Sequence, residues 1–435
     1  MDLLARKPVR PVKTPSAVAD VVAPLVRAFV GQDPPVSVRL WDGSTIHGSG
    51  NAATIVIRRP EALRRIVWAP GEMGLGRAYV SGDIDLEGNL YDALMALKDV
   101  APPNRRMTPA MVRDLTAAAL KLDLIGTPPP PPAVEAQLSG RVHSKRRDEA
   151  SISHHYDVGN DFYRLVLGPT LTYSCARFTS ETATLEEAQI AKVDLVCRKL
   201  GLHERRGMSV IDVGCGWGTM VIHAARTYGA RAVGITLSNE QAKEARRRVS
   251  EAGLDDVVEI RVQDYRDVAG SQFDAVSSIG MSEHVGLDNL DTYFGSLRRL
   301  LGPGGRLLNH AISSIGGSKL GPRSFMGRYV FPDGELIDIA DVLRSMQNAG
   351  FEIRDVESLR EHYARTLHNW IANLEAEWDR ACALSSVEHA RVWRLYMTAS
   401  AIGFEDGGVS LHQVLGVVNE TGGRSAMPLT RGSWG

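Results

Sequence analysis

Cysteine is scarce in this chain: Cys175, Cys197, Cys215 and Cys382 are the four in 435 residues, with no CxxC pair and no histidine at metal-ligand spacing. So few thiols in so long a chain exclude a disulfide framework and give no metal site. Excess charge is lacking too. Lys and Arg total 50 against 51 for Asp and Glu, a net charge of −1, so no global field draws the protein to nucleic acid or to an anionic membrane. Any affinity for lipid has to be local. No apolar run reaches the ~18–20 residues of a spanning helix. The N-terminal MDLLARKPVRPVKTP is basic but has no apolar h-region of a signal peptide. A cytoplasmic protein is the simplest expectation. What the chain does have is a globular balance, 44% hydrophobic and 23% charged, and a length that suggests two or three domains.

Residues 17–30 place Val18, Val21, Val22, Leu25, Val26 and Phe29 at helical spacing, with Pro24 as a kink or boundary. VSVRLW (36–41), Asp42-Gly43 and a second β-prone stretch ending in TIVIRR (54–59) predict a hairpin. PEALRRIVWA (60–69) predicts a helix opened by proline, 71–88 a glycine-punctuated loop with a short strand, and 90–98 and 108–124 helices. Five consecutive prolines, Pro128 to Pro132, cannot be helix or central strand. The expected organisation is therefore a small N-terminal α+β domain over 1–127, a proline-rich then charged linker over 128–150, and a catalytic domain over 151–435. SKRRDEA (144–150) in that linker reads as a solvated surface segment or as a lipid headgroup contact.

From 208 onward strands and helices alternate. MSVIDVG, ARAVGIT, VEIRVQ, FDAVSSIG and GRLLNHAIS predict a parallel doubly wound sheet, and FEIRDVESL with VSLHQVLGVV predicts an antiparallel hairpin at one edge. VIDVGCGWGT (210–219) is a buried strand, a glycine turn and a helix start. Asp212 ends the strand, and Gly214, Gly216 and Gly218 let a ligand approach the backbone. The spacing is Gly-x-Gly-x-Gly, and the next strand ends in Thr236-Leu237-Ser238 where a nicotinamide enzyme offers an acidic residue. The whole resembles the α/β fold of class I S-adenosylmethionine methyltransferases, a Rossmann-like sheet of seven strands. That resemblance implies S-adenosylmethionine as ligand, with Asp264 and Tyr265 of QDY (263–265) near the adenine.

Four further segments carry unusual polar residues: HHYDVGNDFYRLVLGPTLTYSCARF (154–178), SIGMSEHVG (278–286), LLNHAIS (307–313) and GRYVFPDGEL (327–336). With DVGCGWG and HYARTLHNW (362–370), the region from about 150 to 420 resembles the cyclopropane-fatty-acyl-phospholipid synthase and mycolic acid cyclopropane synthase family. GLGRAYVSGDIDLEG resembles the small N-terminal domain of its longer bacterial members.

The resemblance implies a bound bicarbonate ion acting as base beside the methyl donor, in a pocket using Cys175, Glu283, His310, the backbone at Ile312, and Tyr329. It also implies donor contacts from Tyr173, Ser174, Gly214, Thr236, Leu237, Gln241, Asp264, Tyr265, Arg266 and Gly280. The chemistry is coherent from below. A sulfonium methyl held in line with an alkene alkylates it, and the carbocation that results must lose a proton where bulk water is excluded. Tyr329 and His310 can donate to the anion; Glu283, if ionised, can only accept. Cys215 is expected to pack in the glycine turn.

Ser282, Asn309 and Ser400 depart from the family pattern, where aromatic, apolar and, in some members, cysteine residues stand. Polar groups near the cation bear on the product. Direct proton loss from the added methyl closes a cyclopropane, whereas a hydride shift first gives a 10-methylene chain, the precursor of tuberculostearic acid that a partner reductase would convert to a methyl branch. The methylene outcome is the expectation, cyclopropane the alternative. Two other readings stay open: a small-molecule methyltransferase, and a non-catalytic lipid-binding protein. An unsaturated phospholipid or fatty acyl substrate implies peripheral membrane contact, for which residues 141–147 and the basic N-terminal arm are candidates. The N-terminal domain then serves lipid access or homodimerisation.

Overall fold

The computed structural model describes residues 17–50, 53–100, 108–136, 147, 159–269, 272–314 and 324–434. The chain divides into two compact units, Met1–Pro132 and Ala133–Gly435. The basic N-terminal arm, His154 to Val158 and most of the charged stretch at 141–150 lie outside the described residues.

In the first unit a helix spans Val18–Val30 and runs on past Pro24. Strands β1 (Ser37–Arg39), β2 (Thr45–Ile46), β3 (Ala53–Ile57) and β4 (Ile84–Gly88) form a sheet ordered β2-β1-β3-β4. Asp42-Gly43 does close a hairpin, but only onto the two residues of β2; the longer β3 pairs with β1 in parallel. The tight turn uses up its antiparallel partner at once, and the return through 47–50 brings β3 in from the same end as β1. Residues 72–80, expected as loop, are helix. The reason is tertiary. A Cβ at Gly74 would stand 2.3 Å from the carbonyl oxygen of Ala69, so this glycine marks a close helix approach and not a break. The helix Glu61–Trp68 holds the chain that follows, Arg64 donating to the Thr127 carbonyl and Arg65 to that of Pro130.

The second unit is built on β5 (Ser209–Val213), β6 (Arg231–Thr236), β7 (Val258–Val262), β8 (Phe273–Ile279), β9 (Leu301–Ser313), β10 (Glu352–Ser358) and β11 (Ser410–Val417). Their order is β10-β11-β9-β8-β5-β6-β7, with β11 antiparallel to both neighbours and the remaining pairs parallel. The central strands are apolar on both faces because both are covered. Val210 packs into one core with the helices Leu185–Lys199 and Thr219–Tyr228, while Ile211 packs into the other with Leu290–Arg299 and Ile339–Asn348. β10 and β11 do pair antiparallel at the edge, but no tight turn joins them. Three helices intervene, Arg360–Ala376, Trp378–Leu384 and Val387–Glu405.

Candidate active site

The tips of β7, β6, β5 and β8 follow one another along the sheet, and one cavity of about 180 Å³ runs beneath them. At the β5 tip Gly214, Gly216 and Gly218 take φ of +81°, +52° and +81°, turning the strand into the helix Thr219–Tyr228. Gly214 and Cys215 both donate their N–H to the Ile235 carbonyl, which ties this turn to β6. After β6, Thr236 Oγ1 donates to Gln241 Oε1 at 2.8 Å, and Ser238 caps the next helix. After β7, Asp264 accepts from the Arg266 backbone and guanidinium and so shapes the turn that presents Tyr265. Gly280 closes the far end after β8.

Every donor-site residue expected from sequence lines this cavity except Gly218: Tyr173, Ser174, Asp212, Gly214, Gly216, Thr236, Leu237, Gln241, Asp264, Tyr265, Arg266 and Gly280. Gly218 instead sits at the helix N-cap behind the turn.

A second cavity, also about 180 Å³, adjoins the first through Tyr173, Ser174, Gly280 and His284. Its walls are mainly apolar: Met326, Phe331 and Leu336 from one side, and Tyr363, Leu367, Tyr396 and Phe404 from the helices between β10 and β11. Cys175, Glu283, His310 and Ile312 meet in its wall. Ile312 N–H donates to Glu283 Oε1 at 3.3 Å, while the buried Oε2 has no partner among the described residues. Burial raises its carboxyl to about 7. His310 is 1% exposed; Gln413 Nε2 approaches its Nδ1 at 3.2 Å, and Nε2 has no partner among the described residues. Burial holds the imidazole well below its ordinary value, and so do the Lys192 and Lys199 charges; it stays neutral at physiological pH. The Cys175 thiol is also buried, its pKa pushed far up, and it points at the Ala176 and Leu359 carbonyls, so it is no nucleophile.

Tyr329 is not brought into this wall. Its hydroxyl donates to Glu135 Oε2 at 2.9 Å and its ring stacks on Phe325. Of the residues that depart from the family pattern, Ser400 lines the apolar cavity, whereas Ser282 and Asn309 are buried outside its lining. Asn309 alternates with His310 on β9 and therefore points to the other face of the sheet. Arg147, a headgroup candidate, forms a two-pronged ion pair with Asp333.

The mycolic acid cyclopropane synthetase family model matches residues 143–414. The chain belongs to this family. It is an S-adenosylmethionine-dependent enzyme of the fatty acyl methyltransferase and cyclopropane synthase group. It is 42% identical to a probable fatty acid methyltransferase of Mycobacterium tuberculosis, over 91% of this chain and 94% of that one. Tuberculostearic acid methyltransferase UfaA1 of the same species is 34% identical over 83% of this chain and 82% of its own. Among solved structures, mycolic acid cyclopropane synthase CmaA1 complexed with SAH and CTAB superposes at a TM-score of 0.58 with 35% identity. It covers 62% of this chain and 97% of that one.

Sequence reading missed three groups of residues around this family site. Gln413 lies on the last strand, beside His310. The aromatic walls, Tyr363 and Tyr396 among them, come from helices whose apolar face looked like ordinary core. Lys192 lies in the wall of the first cavity, 1% exposed. A signal for it existed: on the helix Leu185–Lys199 it shares the buried face with Ala188, Leu195 and Val196, an unusual place for a cation.

Proposed function

We propose that this enzyme transfers the methyl of S-adenosylmethionine to the cis double bond of an unsaturated acyl chain of a phospholipid, then removes a proton from the added methyl. One observation carries the reading. Two buried polar atoms without partners among the described residues, Glu283 Oε2 and His310 Nε2, share the wall of an apolar cavity that opens onto the donor cavity at Ser174 and Gly280.

The apolar walls suit an acyl chain and keep water from the cation, and the junction between cavities brings the alkene to the methyl. When bound, the donor supplies an electrophilic sulfonium methyl. The unpartnered pair fits a small hydrogen-bonding anion such as bicarbonate: His310 Nε2–H can donate to its oxygen, and ionised Glu283 can accept its hydrogen. When bound, that anion supplies the base. Ile312 N–H keeps Glu283 turned toward the cavity, Gln413 keeps the His310 proton on Nε2, and Cys175 shapes the wall.

The 10-methylene chain is the first reading of the product. It is supported by the likeness to a tuberculostearic acid methyltransferase and by the Ser400 hydroxyl in the acyl cavity. Such a product calls for a reductase to finish the methyl branch. The second reading, a cyclopropane, is favoured by the burial of Ser282 and Asn309 outside the cavity lining.

The test is incubation of the full chain with labelled S-adenosylmethionine and dioleoyl phospholipid vesicles, in buffer freed of carbon dioxide and with bicarbonate restored. Label is expected in the acyl chain, dependent on bicarbonate, with vinylidene protons in the product's NMR spectrum. Cyclopropyl protons instead select the second product. No label in lipid ends the proposal, and turnover indifferent to bicarbonate removes the anion from it.

A further inference from the structure

The helix Val387–Glu405 gives the apolar cavity one continuous face: Tyr396, Ala399, Ser400, Gly403 and Phe404 recur at the spacing of a single helical side. Tyr396 stands at the donor end, its hydroxyl 2.9 Å from that of Tyr173, which lines both cavities. Gly403 follows two turns later, about 10 Å along the helix axis. A glycine inside a helix is destabilising, and this one answers no local need. Its φ is not positive; the left-handed position after the helix is Gly407, at φ +78°. Close packing does not demand it either. Among the described residues, a Cβ at Gly403 would meet only Val409 Cγ2, at 3.5 Å, an ordinary contact. The missing side chain leaves room in the cavity.

That room is part of a site that awaits a ligand. Glu283 Oε2 and His310 Nε2, buried and without partners among the described residues, belong to the same cavity. Its two ends differ. Near the donor junction lie Phe331, whose ring meets Tyr396, and the exposed Glu335, whose N–H donates to the Glu283 carbonyl. Around Gly403 lie Phe404, Tyr363 and Val409, all without charge, and Val409 N–H donates to the Gly403 carbonyl at 3.0 Å. A headgroup ester needs water and a methyl terminus does not, so the methyl end of an acyl chain points toward Gly403. Carbon–carbon bonds of about 1.5 Å in zigzag advance about 1.3 Å per carbon, so about 10 Å of helix matches about eight carbons. Oleoyl carries eight carbons beyond its double bond; palmitoleoyl and cis-vaccenoyl carry six. We propose that Gly403 is a specificity-determining residue that leaves room for the last carbons of an oleoyl-type tail. Substrates are thereby selected by the length of chain on the methyl side of the double bond. The proposal rests on the acyl-cavity reading above and adds to it which end of the chain is measured.

The experiment is a competition. The full-length protein and its Gly403→Leu variant act with labelled S-adenosylmethionine on vesicles holding oleoyl, palmitoleoyl and cis-vaccenoyl phospholipid in equal amounts. Product fatty acids are then separated by gas chromatography and assigned by mass spectrometry. Because all three compete in one bilayer, the product ratios do not depend on how much of the variant is folded. In Gly403→Leu the oleoyl-to-palmitoleoyl product ratio is expected to fall about tenfold or more, as overfilling a hydrophobic pocket by more than one methylene does. The cis-vaccenoyl-to-palmitoleoyl ratio should stay within about twofold of its original value, since a pocket discriminates by the group that it meets and both tails end alike. Gly403→Ala guards the test if the leucine variant does not fold, and its oleoyl ratio should fall in the same direction by a smaller factor. An unchanged oleoyl ratio in a folded variant overturns the proposal and leaves the acyl-cavity reading standing. A loss confined to cis-vaccenoyl, whose carboxyl side is the longer, also overturns it, since the carboxyl side would then lie at Gly403. An unaltered protein that labels none of the three overturns the acyl-cavity reading and this proposal with it.

Discussion

Gln413 Nε2 stands 3.2 Å from His310 Nδ1, joining paired positions on β11 and β9. With the amide nitrogen facing the ring, Nδ1 accepts and the imidazole proton is held on Nε2, in the wall of the acyl cavity. Gln413 therefore acts through His310. Gln413→Leu is expected to lower kcat about tenfold, the worth of one buried hydrogen bond. Binding of S-adenosylhomocysteine should not change, because Gln413 does not line the donor cavity. Initial rates and calorimetry check the two halves, and an unaltered kcat removes the role.

Glu283 links activity to stability with opposite signs. Burial raises its carboxyl from 4.5 to about 7. Only the ionised form can accept a hydrogen, so kcat is expected to rise with pH through about 7 and then level off. The folded state holds this proton more tightly than the unfolded chain, so stability falls as pH climbs from the unfolded pKa through the folded one. The loss approaches about 3 kcal/mol above pH 7. Glu283→Gln removes both effects. Turnover should fall by roughly 10²–10⁴, while urea unfolding should show the variant more stable than the unaltered chain at about pH 8, with the gap closing toward about pH 5. Equal turnover, or a gap that widens in acid, contradicts the assignment.

Tyr329 gives a sharp contrast. Its hydroxyl donates to the buried Glu135 carboxylate and does not line the acyl cavity. Tyr329→Phe is expected to cost about 1–3 kcal/mol of stability by withdrawing a donor from that carboxylate, with kcat changed by less than about threefold. A fall of about a hundredfold in kcat at unaltered stability would instead give the hydroxyl a part in the chemistry.

Gly214 tests the glycine turn. Its φ is +81°, and a Cβ there would stand 2.5 Å from Met281 Cγ and Sδ, in the side chain that lines the donor cavity. Gly214→Ala is expected to cost about 1–2 kcal/mol in backbone strain alone. Displacing Met281 should weaken S-adenosylhomocysteine binding about tenfold or more. Calorimetry and urea unfolding measure the two separately, and unaltered binding would show that the turn relaxes without touching the ligand.

By itself the sequence determined the alternation of strand and helix after residue 208, the glycine turn after β5 and the antiparallel edge. These rest on local physics: apolar runs buried on both faces, positive φ open to glycine, and turn residues between periodic segments. The motif segments also indicated Cys175, Glu283, His310 and Ile312, which the fold gathers in one wall. Tertiary structure alone decided where side chains separated by long stretches of chain point. It turned residues 72–80 into helix by close packing at Gly74, paired β1 with β3 in parallel, and gave the Tyr329 hydroxyl to Glu135. It also put the helices between β10 and β11 against the site as the wall of an apolar cavity, and set Lys192 and Gln413 beside residues far away in the chain. Periodicity says which face of an element is covered. What covers it, and which polar group then has to find its partner in a ligand, depends on contacts that exist only once the chain has closed on itself.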